Sequence, residues 1–167
     1  TSPVETDGTN LSRSNIQVNV SATDNGVIDR IVIRLYNSSQ DLINTSLSST
    51  GVASYFINFT SLADGTYRFN ATVNDSYGNS NSSSGTRIVT LDTTLPVPSF
   101  GTGTENNGVN VSRNWIYANV SVVETNEANI TFTLYNSTSS YNVTTFSTAV
   151  RTINWTGLAD GNYSYNV

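Results

Sequence analysis

Apolar residues in this chain recur at every second position, in runs too short for helices. Ile16-Gln-Val18-Asn-Val20-Ser-Ala22 alternates cleanly, as do Ile31-Val-Ile33-Arg-Leu35 and Tyr67-Arg-Phe69-Asn-Ala71-Thr-Val73. A strand turns successive side chains to opposite faces, so each run predicts a strand with one buried face. Ser54 to Phe59 and Arg87 to Leu91 read the same way, and Leu42 to Leu47 more weakly. Asp24-Asn25-Gly26, Asp64-Gly65 and Tyr77-Gly78-Asn79 punctuate the runs with turn chemistry. No segment keeps a helical period, so no long helix is expected.

The pattern occurs twice. Gly8-Thr-Asn10-Leu-Ser12-Arg13 returns as Gly108-Val-Asn110-Val-Ser112-Arg113, and Leu35-Tyr36-Asn37-Ser38 as Leu134-Tyr135-Asn136-Ser137. Asn58-Phe-Thr60-Ser-Leu62-Ala-Asp64-Gly65-Thr-Tyr67 returns as Asn154-Trp-Thr156-Gly-Leu158-Ala-Asp160-Gly161-Asn-Tyr163. The offset shrinks slowly along the chain, as expected for tandem domains that differ by small loop deletions. Thr94-Leu95-Pro96-Val97 matches Thr1-Ser2-Pro3-Val4, which sets repeat 1 at residues 1–94 and repeat 2 at 95–167. Val167 then aligns with Ala71, so repeat 2 is expected to lack its last strand, because the sequence is a window on a longer array; completion by a donated strand of another chain is the less favoured alternative.

About six or seven strands per repeat and no helix predict an all-β fold of tandem immunoglobulin-like Greek-key sandwiches. Tyr67 and Tyr163 follow the same Leu-Ala-Asp-Gly turn just before a late strand. That is the place of the tyrosine corner, whose hydroxyl bonds back to nearby backbone. The strings Leu91-Asp92-Thr93-Thr94-Leu95-Pro96 and Leu62 to Asn79 resemble the repeats of bacterial and archaeal immunoglobulin-like domains. The resemblance covers the whole chain. It implies a place in a large cell-surface protein, with further copies of the repeat as partners, and it implies no chemistry.

Composition narrows the function. Charged residues are 11% of the chain and the net charge is −5. Cys, Met, His and Lys are absent, while Asn, Ser and Thr are abundant. No Cys means no disulfide or thiolate metal site, and no His or Lys removes the usual catalytic bases. The missing Lys also excludes Lys–Asn isopeptide crosslinks. The seven Arg are scattered, so no nucleic-acid footprint forms. No apolar run is long enough to span a membrane. No pair of carboxylates sits in a hydrolase motif, so an enzyme is not expected.

The sequence Asn-x-Ser/Thr occurs 15 times: at Asn10, Asn19, Asn37, Asn44, Asn58, Asn70, Asn74, Asn81, Asn110, Asn119, Asn129, Asn136, Asn142, Asn154 and Asn162. Random placement would give roughly six. Asn19, Asn58, Asn70, Asn74, Asn119, Asn129, Asn154 and Asn162 oppose the apolar face of their strands, and the others fall near turns. N-linked glycans are therefore expected, with sugars supplying the solubility and edge protection that charge normally supplies. A ladder of side-chain bonds between residues i and i+2 is a partial alternative. No cofactor is expected otherwise. Asp24, Asp75 and Asp92 are weak calcium candidates, and turn formation is the favoured role for them.

Asp92 to Pro98 reads as a short, stiff linker, and Ser99 to Asn107 as the first loop of repeat 2. Trp115 is out of phase with Ile116 and is expected at the surface. The function expected is a structural segment of an N-glycosylated extracellular filament or stalk. The alternatives are an adhesin stalk with its binding domain elsewhere, or a surface-layer component.

Overall fold

The computed structural model describes residues 5–82, 85–147 and 149–167. The Thr1–Val4 part of the linker match, and Ser83 of the Asn81 sequon, lie outside the described residues. The chain divides into two compact units, Thr1–Thr94 and Leu95–Val167. All regular structure among the described residues is β-strand.

Unit 1 contains β1 (Thr9–Leu11), β2 (Ile16–Ser21), β3 (Ile28–Tyr36), β4 (Leu42–Leu47), β5 (Ser54–Phe59), β6 (Gly65–Asp75), β7 (Ser80–Asn81) and β8 (Thr86–Leu91). One sheet has the order β1-β8-β6-β3-β4, with β7 beside β6, and the second is the pair β2-β5. The chain crosses between sheets after β1, β2, β4 and β5, which is the Greek-key path of an immunoglobulin-like sandwich. Alternation does what the sequence predicts. Ile16 and Val18 on β2, Ile31, Ile33 and Leu35 on β3, and Tyr67, Phe69 and Ala71 on β6 all face inward. Val89 and Leu91 on β8 close the core. Each fully buried aliphatic side chain contributes about 1.5–3 kcal/mol.

Unit 2 contains β9 (Val97–Phe100), β10 (Trp115–Val123), β11 (Ile130–Tyr135), β12 (Ser140–Phe146), β13 (Thr152–Thr156) and β14 (Ser164–Asn166). Its sheets are β13-β10-β9 and β12-β11-β14. The core repeats that of unit 1 position for position: Phe132 stands where Ile33 stands, Leu134 where Leu35 does, and Trp155 where Phe59 does.

Three strands escaped the sequence reading. Thr9–Leu11 and Ser80–Asn81 are too short to show a period. Val97–Phe100 was expected partly as linker and partly as loop, yet it pairs antiparallel with β10 from Val120 to Val123. Its Pro98 argues against a central strand, but an edge strand tolerates a missing N–H. The linker therefore ends at Pro96.

Candidate glycan-bearing surface

None of the fifteen sequon asparagines is buried. Nine are exposed: Asn10, Asn44, Asn58, Asn81, Asn110, Asn129, Asn142, Asn154 and Asn162. Asn19, Asn37, Asn70, Asn74, Asn119 and Asn136 are half-buried. Strand parity explains two of the exposed sites. Asn58 and Asn154 sit beside the buried Phe59 and Trp155 and point the other way. Equivalent sites behave alike, since Asn19 and Asn119 are both half-buried, as are Asn37 and Asn136.

The half-buried group has local duties. The Asn37 side-chain oxygen accepts from the Asp41 N–H at 2.9 Å, and its amide nitrogen donates to Asp41 Oδ2 at 2.9 Å. Asn136 accepts from the Thr138 and Ser139 N–H groups, each at 3.0 Å. Both asparagines shape the turn after their strand. The amide nitrogen of Asn119, the atom a glycan would occupy, donates to the Thr102 carbonyl at 3.0 Å. A bond between residues i and i+2 of a sequon forms at Asn136–Thr138 (2.9 Å) and Asn142–Thr144 (2.8 Å). Asn142 also accepts from the Trp155 indole N–H at 3.1 Å.

The tyrosine of each Asp-Gly-x-Tyr turn makes the same bond in both units. The Tyr67 hydroxyl donates to the Ala63 carbonyl at 2.9 Å, and Tyr163 to Ala159 at 3.1 Å. This is the bond a tyrosine corner makes. The Leu62 N–H donates to Ser14 O at 3.0 Å, and Leu158 to Asn114 O at 2.9 Å, so each corner loop is tied to the start of its second-sheet strand.

The acidic candidates are spent on turns. Asp24 Oδ1 accepts from the Gly26 N–H at 2.7 Å. Asp75 Oδ1 accepts from the N–H groups of Tyr77 and Asn79, and Oδ2 from the Asn79 amide at 2.7 Å. The Asn79 side chain holds the Asp75 carboxyl below its usual range, since these bonds favour the charged form. Asp24 and Asp75 line one cavity, while Asp92 lies at the end of β8 and accepts from Thr94 N–H at 3.1 Å. Among the described residues no three acidic groups gather.

Two features went unread in the sequence. Arg13 pairs with Glu5, and Arg113 with Glu105, at the same offset in the two units. In unit 1 the Arg87 guanidinium also donates to the Glu5 carbonyl at 2.8 Å. The repeated Glu and Arg were visible in the aligned sequences, but nothing there showed that they meet. The second feature is Asp64, whose carboxylate accepts from the Thr93 N–H, the Thr93 hydroxyl and the Thr94 hydroxyl, each at 2.9 Å. Trp115 is 37% exposed, and the Arg113 guanidinium lies 3.8 Å from its ring centroid, which covers the face a sugar would stack on.

No protein-family model and no curated protein sequence matches the chain. Solved structures with similar folds include fibronectin(III)-like modules of CbhA from Clostridium thermocellum, at 16% identity and a TM-score of 0.42. That match covers 94% of this chain and 77% of the other. The FN1–FN3 domains of chicken CNTN1 match at 10% identity and a TM-score of 0.41, over 98% of this chain and 57% of theirs. A two-domain fibronectin type III segment of chicken tenascin matches at 12% identity and a TM-score of 0.37, over 98% and 85%. The chain is similar in fold to these modules, and its assignment as tandem sandwiches rests on its own strand order.

Proposed function

We propose that this chain is a non-catalytic structural segment of an N-glycosylated extracellular filament or stalk, built from successive sandwich repeats. The observation that carries this reading is the distribution of the sequons: fifteen in 167 residues, none buried, with equivalent ones at equivalent places in both units. A polar face needs no hydroxyl two residues after each asparagine, whereas a glycosylation acceptor does. The scarcity of charge fits the same reading, because a hydrated sugar coat replaces the Lys and Glu that normally keep sheet edges apart.

The joint supports a load-bearing role. Asp64 holds Thr93 and Thr94 at the end of unit 1, and Val97 is already paired with Val123 in unit 2. Only Leu95 and Pro96 lie between, which leaves little slack for extension before a sandwich itself bears force.

The test is glycopeptide mapping with intact mass on the protein from its native source. The expected mass exceeds the bare 18.0 kDa of these residues, with occupancy high at Asn44, Asn58, Asn129 and Asn154. Occupancy is expected to be lowest at Asn37 and Asn119, whose amide nitrogens are engaged in the folded protein. A bare mass would sink the glycan coat.

A further inference from the structure

The seven arginines are scattered along the sequence, but strand register gathers three of them on one surface. β3 and β6 pair with Tyr36 opposite Arg68, Arg34 opposite Asn70, Val32 opposite Thr72 and Arg30 opposite Asn74. Ile33, Leu35, Phe69 and Ala71 turn to the core, so this alternate row is the outer face of the larger sheet of unit 1. Arg30, Arg34 and Arg68 therefore stand around two sequon asparagines, Asn70 and Asn74.

The charges on this face are poorly matched. Arg30 reaches only Asp29, at 3.8 Å. Arg34 and Arg68 form no ion pair among the described residues, which include all twelve acidic side chains. The Arg34 guanidinium donates to Thr72 Oγ1 at 3.1 Å. The Arg68 Nη1 is shielded from solvent and has no hydrogen-bond partner among the described residues. Arg34 and Arg68 are diagonal neighbours on paired strands, a spacing of about 7–8 Å that long side chains bridge. Two unpaired cations so placed repel, and an unmet donor adds to the cost. An anion between the two guanidiniums relieves both, by accepting a charge-assisted bond from each. Unit 2 has a neutral face at these positions: Thr133 pairs with Asn166 as Arg34 does with Asn70, and Ser164 pairs with Tyr135 as Arg68 does with Tyr36.

We propose that, given the glycosylation already proposed, the sugar chain on Asn70 is anionic and docks a carboxylate or sulfate group between Arg34 and Arg68. Asn70 lies directly opposite Arg34 and two residues along the same face from Arg68, so a sugar attached to it starts between them. No contact among the described residues engages its amide nitrogen, in contrast to Asn37 and Asn119. The planar guanidinium fork matches the paired oxygens of a carboxylate or sulfate, which is why arginine serves here better than a point charge. Docking holds the base of the glycan along the sheet, whereas the sugars on Asn58 and Asn154 have no arginine opposite them: Asn58 pairs with Gln17 and Asn154 with Tyr117.

The test has two parts. Glycopeptides spanning Asn70 from the native-source protein are weighed by mass spectrometry, and an acidic sugar is expected. A bare Asn70 would remove the glycan itself from this site, and the docking with it; a neutral glycan would overturn the docking and leave the coat intact. In the second part, sugar-free protein of all 167 residues, labelled at its arginines, is titrated with trigalacturonate, with maltotriose as the neutral control. The Nε–H resonances of Arg34 and Arg68 are expected to shift with the acid, to stay still with the neutral sugar, and to respond less as salt is raised. Arg68→Gln and Arg34→Gln should each weaken binding about fivefold or more, since each removes one charge-assisted contact. Equal response to both sugars, shifts centred on Arg113 or Arg151, or unchanged affinity in both variants would overturn the site. Trigalacturonate binding beside a neutral Asn70 glycan would assign the arginines to a free acidic polysaccharide and overturn their link to Asn70.

Discussion

The two units share a corner, an ion pair and a core pattern, yet their described strands bury cores of different size. In unit 1 the larger sheet runs through β8, flanked by β1, and β2 pairs with β5. In unit 2 β10 pairs with β9 and β13, and β14 pairs with β11. Residues 109–111, the counterpart of β1, form no strand there, and Val109 and Val111 stay exposed. The Gly-x-Asn-x-Ser segment forms β1 in unit 1, where Val89, Thr90 and Leu91 stand opposite it. Among the described residues the unit 1 core cluster holds twelve buried residues and that of unit 2 seven.

That difference predicts unequal stability, and the chain carries its own reporter. Both tryptophans, Trp115 and Trp155, belong to unit 2. Tryptophan fluorescence in a urea titration should therefore follow unit 2 alone, with its midpoint below that of the far-ultraviolet signal, which follows both units. Phe132→Ala has the largest expected effect. Phe132 is fully buried and packs edge-on against Phe146, so its removal should cost unit 2 about 3–5 kcal/mol. The tryptophan transition should collapse while the remainder of the dichroism transition holds its midpoint. If both shift together, the units are not independent.

A subtler contrast lies in the corner loop. Ser61 adopts φ 58° and its counterpart Gly157 adopts φ 70°, so both occupy the left-handed region. Only the second unit uses the residue that suits it. Gly157→Ser should destabilise unit 2 by about 1 kcal/mol, read from the tryptophan transition. Ser61→Gly should shift unit 1 by a similar amount in the opposite direction, because backbone strain and the greater freedom of glycine in the unfolded chain enter the two exchanges with reversed signs. A loss of stability in both variants would mean that the two corners do not ask for the same backbone.

Most of this architecture was legible because alternation fixes which side chains face the core. The strands from Ile16, Ser54 and Leu42 lie where their apolar periods put them, and the twin Asp-Gly-x-Tyr turns located both corners. Alternation does not reveal which edge a strand finds. Val97-Pro-Ser-Phe100 has too few residues for a period and a proline that suggests a linker, so only its neighbour β10 makes it a strand. The asparagines show a similar limit. Parity predicted that Asn19 and Asn119 leave the core, but not that the chain around Thr102 folds back over Asn119. That return is a contact between segments distant in sequence, and it leaves no local pattern.

The corner bonds test how burial scales a shared motif. Tyr67 is 9% exposed and its bond to Ala63 is partly buried, whereas the Tyr163 bond to Ala159 is exposed. Tyr67→Phe leaves a carbonyl poorly hydrated and should cost unit 1 about 1 kcal/mol by calorimetry. Tyr163→Phe lets water replace the hydroxyl and should cost unit 2 less. Equal losses would argue that the corner acts through ring packing alone.

The smallest expected effect lies at Asp64. The Thr93 N–H, followed by the Thr93 hydroxyl, holds the Asp64 carboxyl below its ordinary value of 3.8. A depressed carboxyl stabilises the fold above pH 3.8, and that contribution fades as pH falls through the lower folded value. The Asp75 carboxyl, lowered first by its Asn79 side-chain bond, contributes in the same direction. Asp64→Asn should slightly lower unit 1 stability at neutral pH, and the gap from the parent chain should close below pH 3.8. The Thr93 amide resonance should titrate with a midpoint below that value in the parent chain and stay flat in the variant. A flat Thr93 signal in the parent would show that the carboxylate does not hold the linker, and the joint between repeats would then have more freedom than two residues allow.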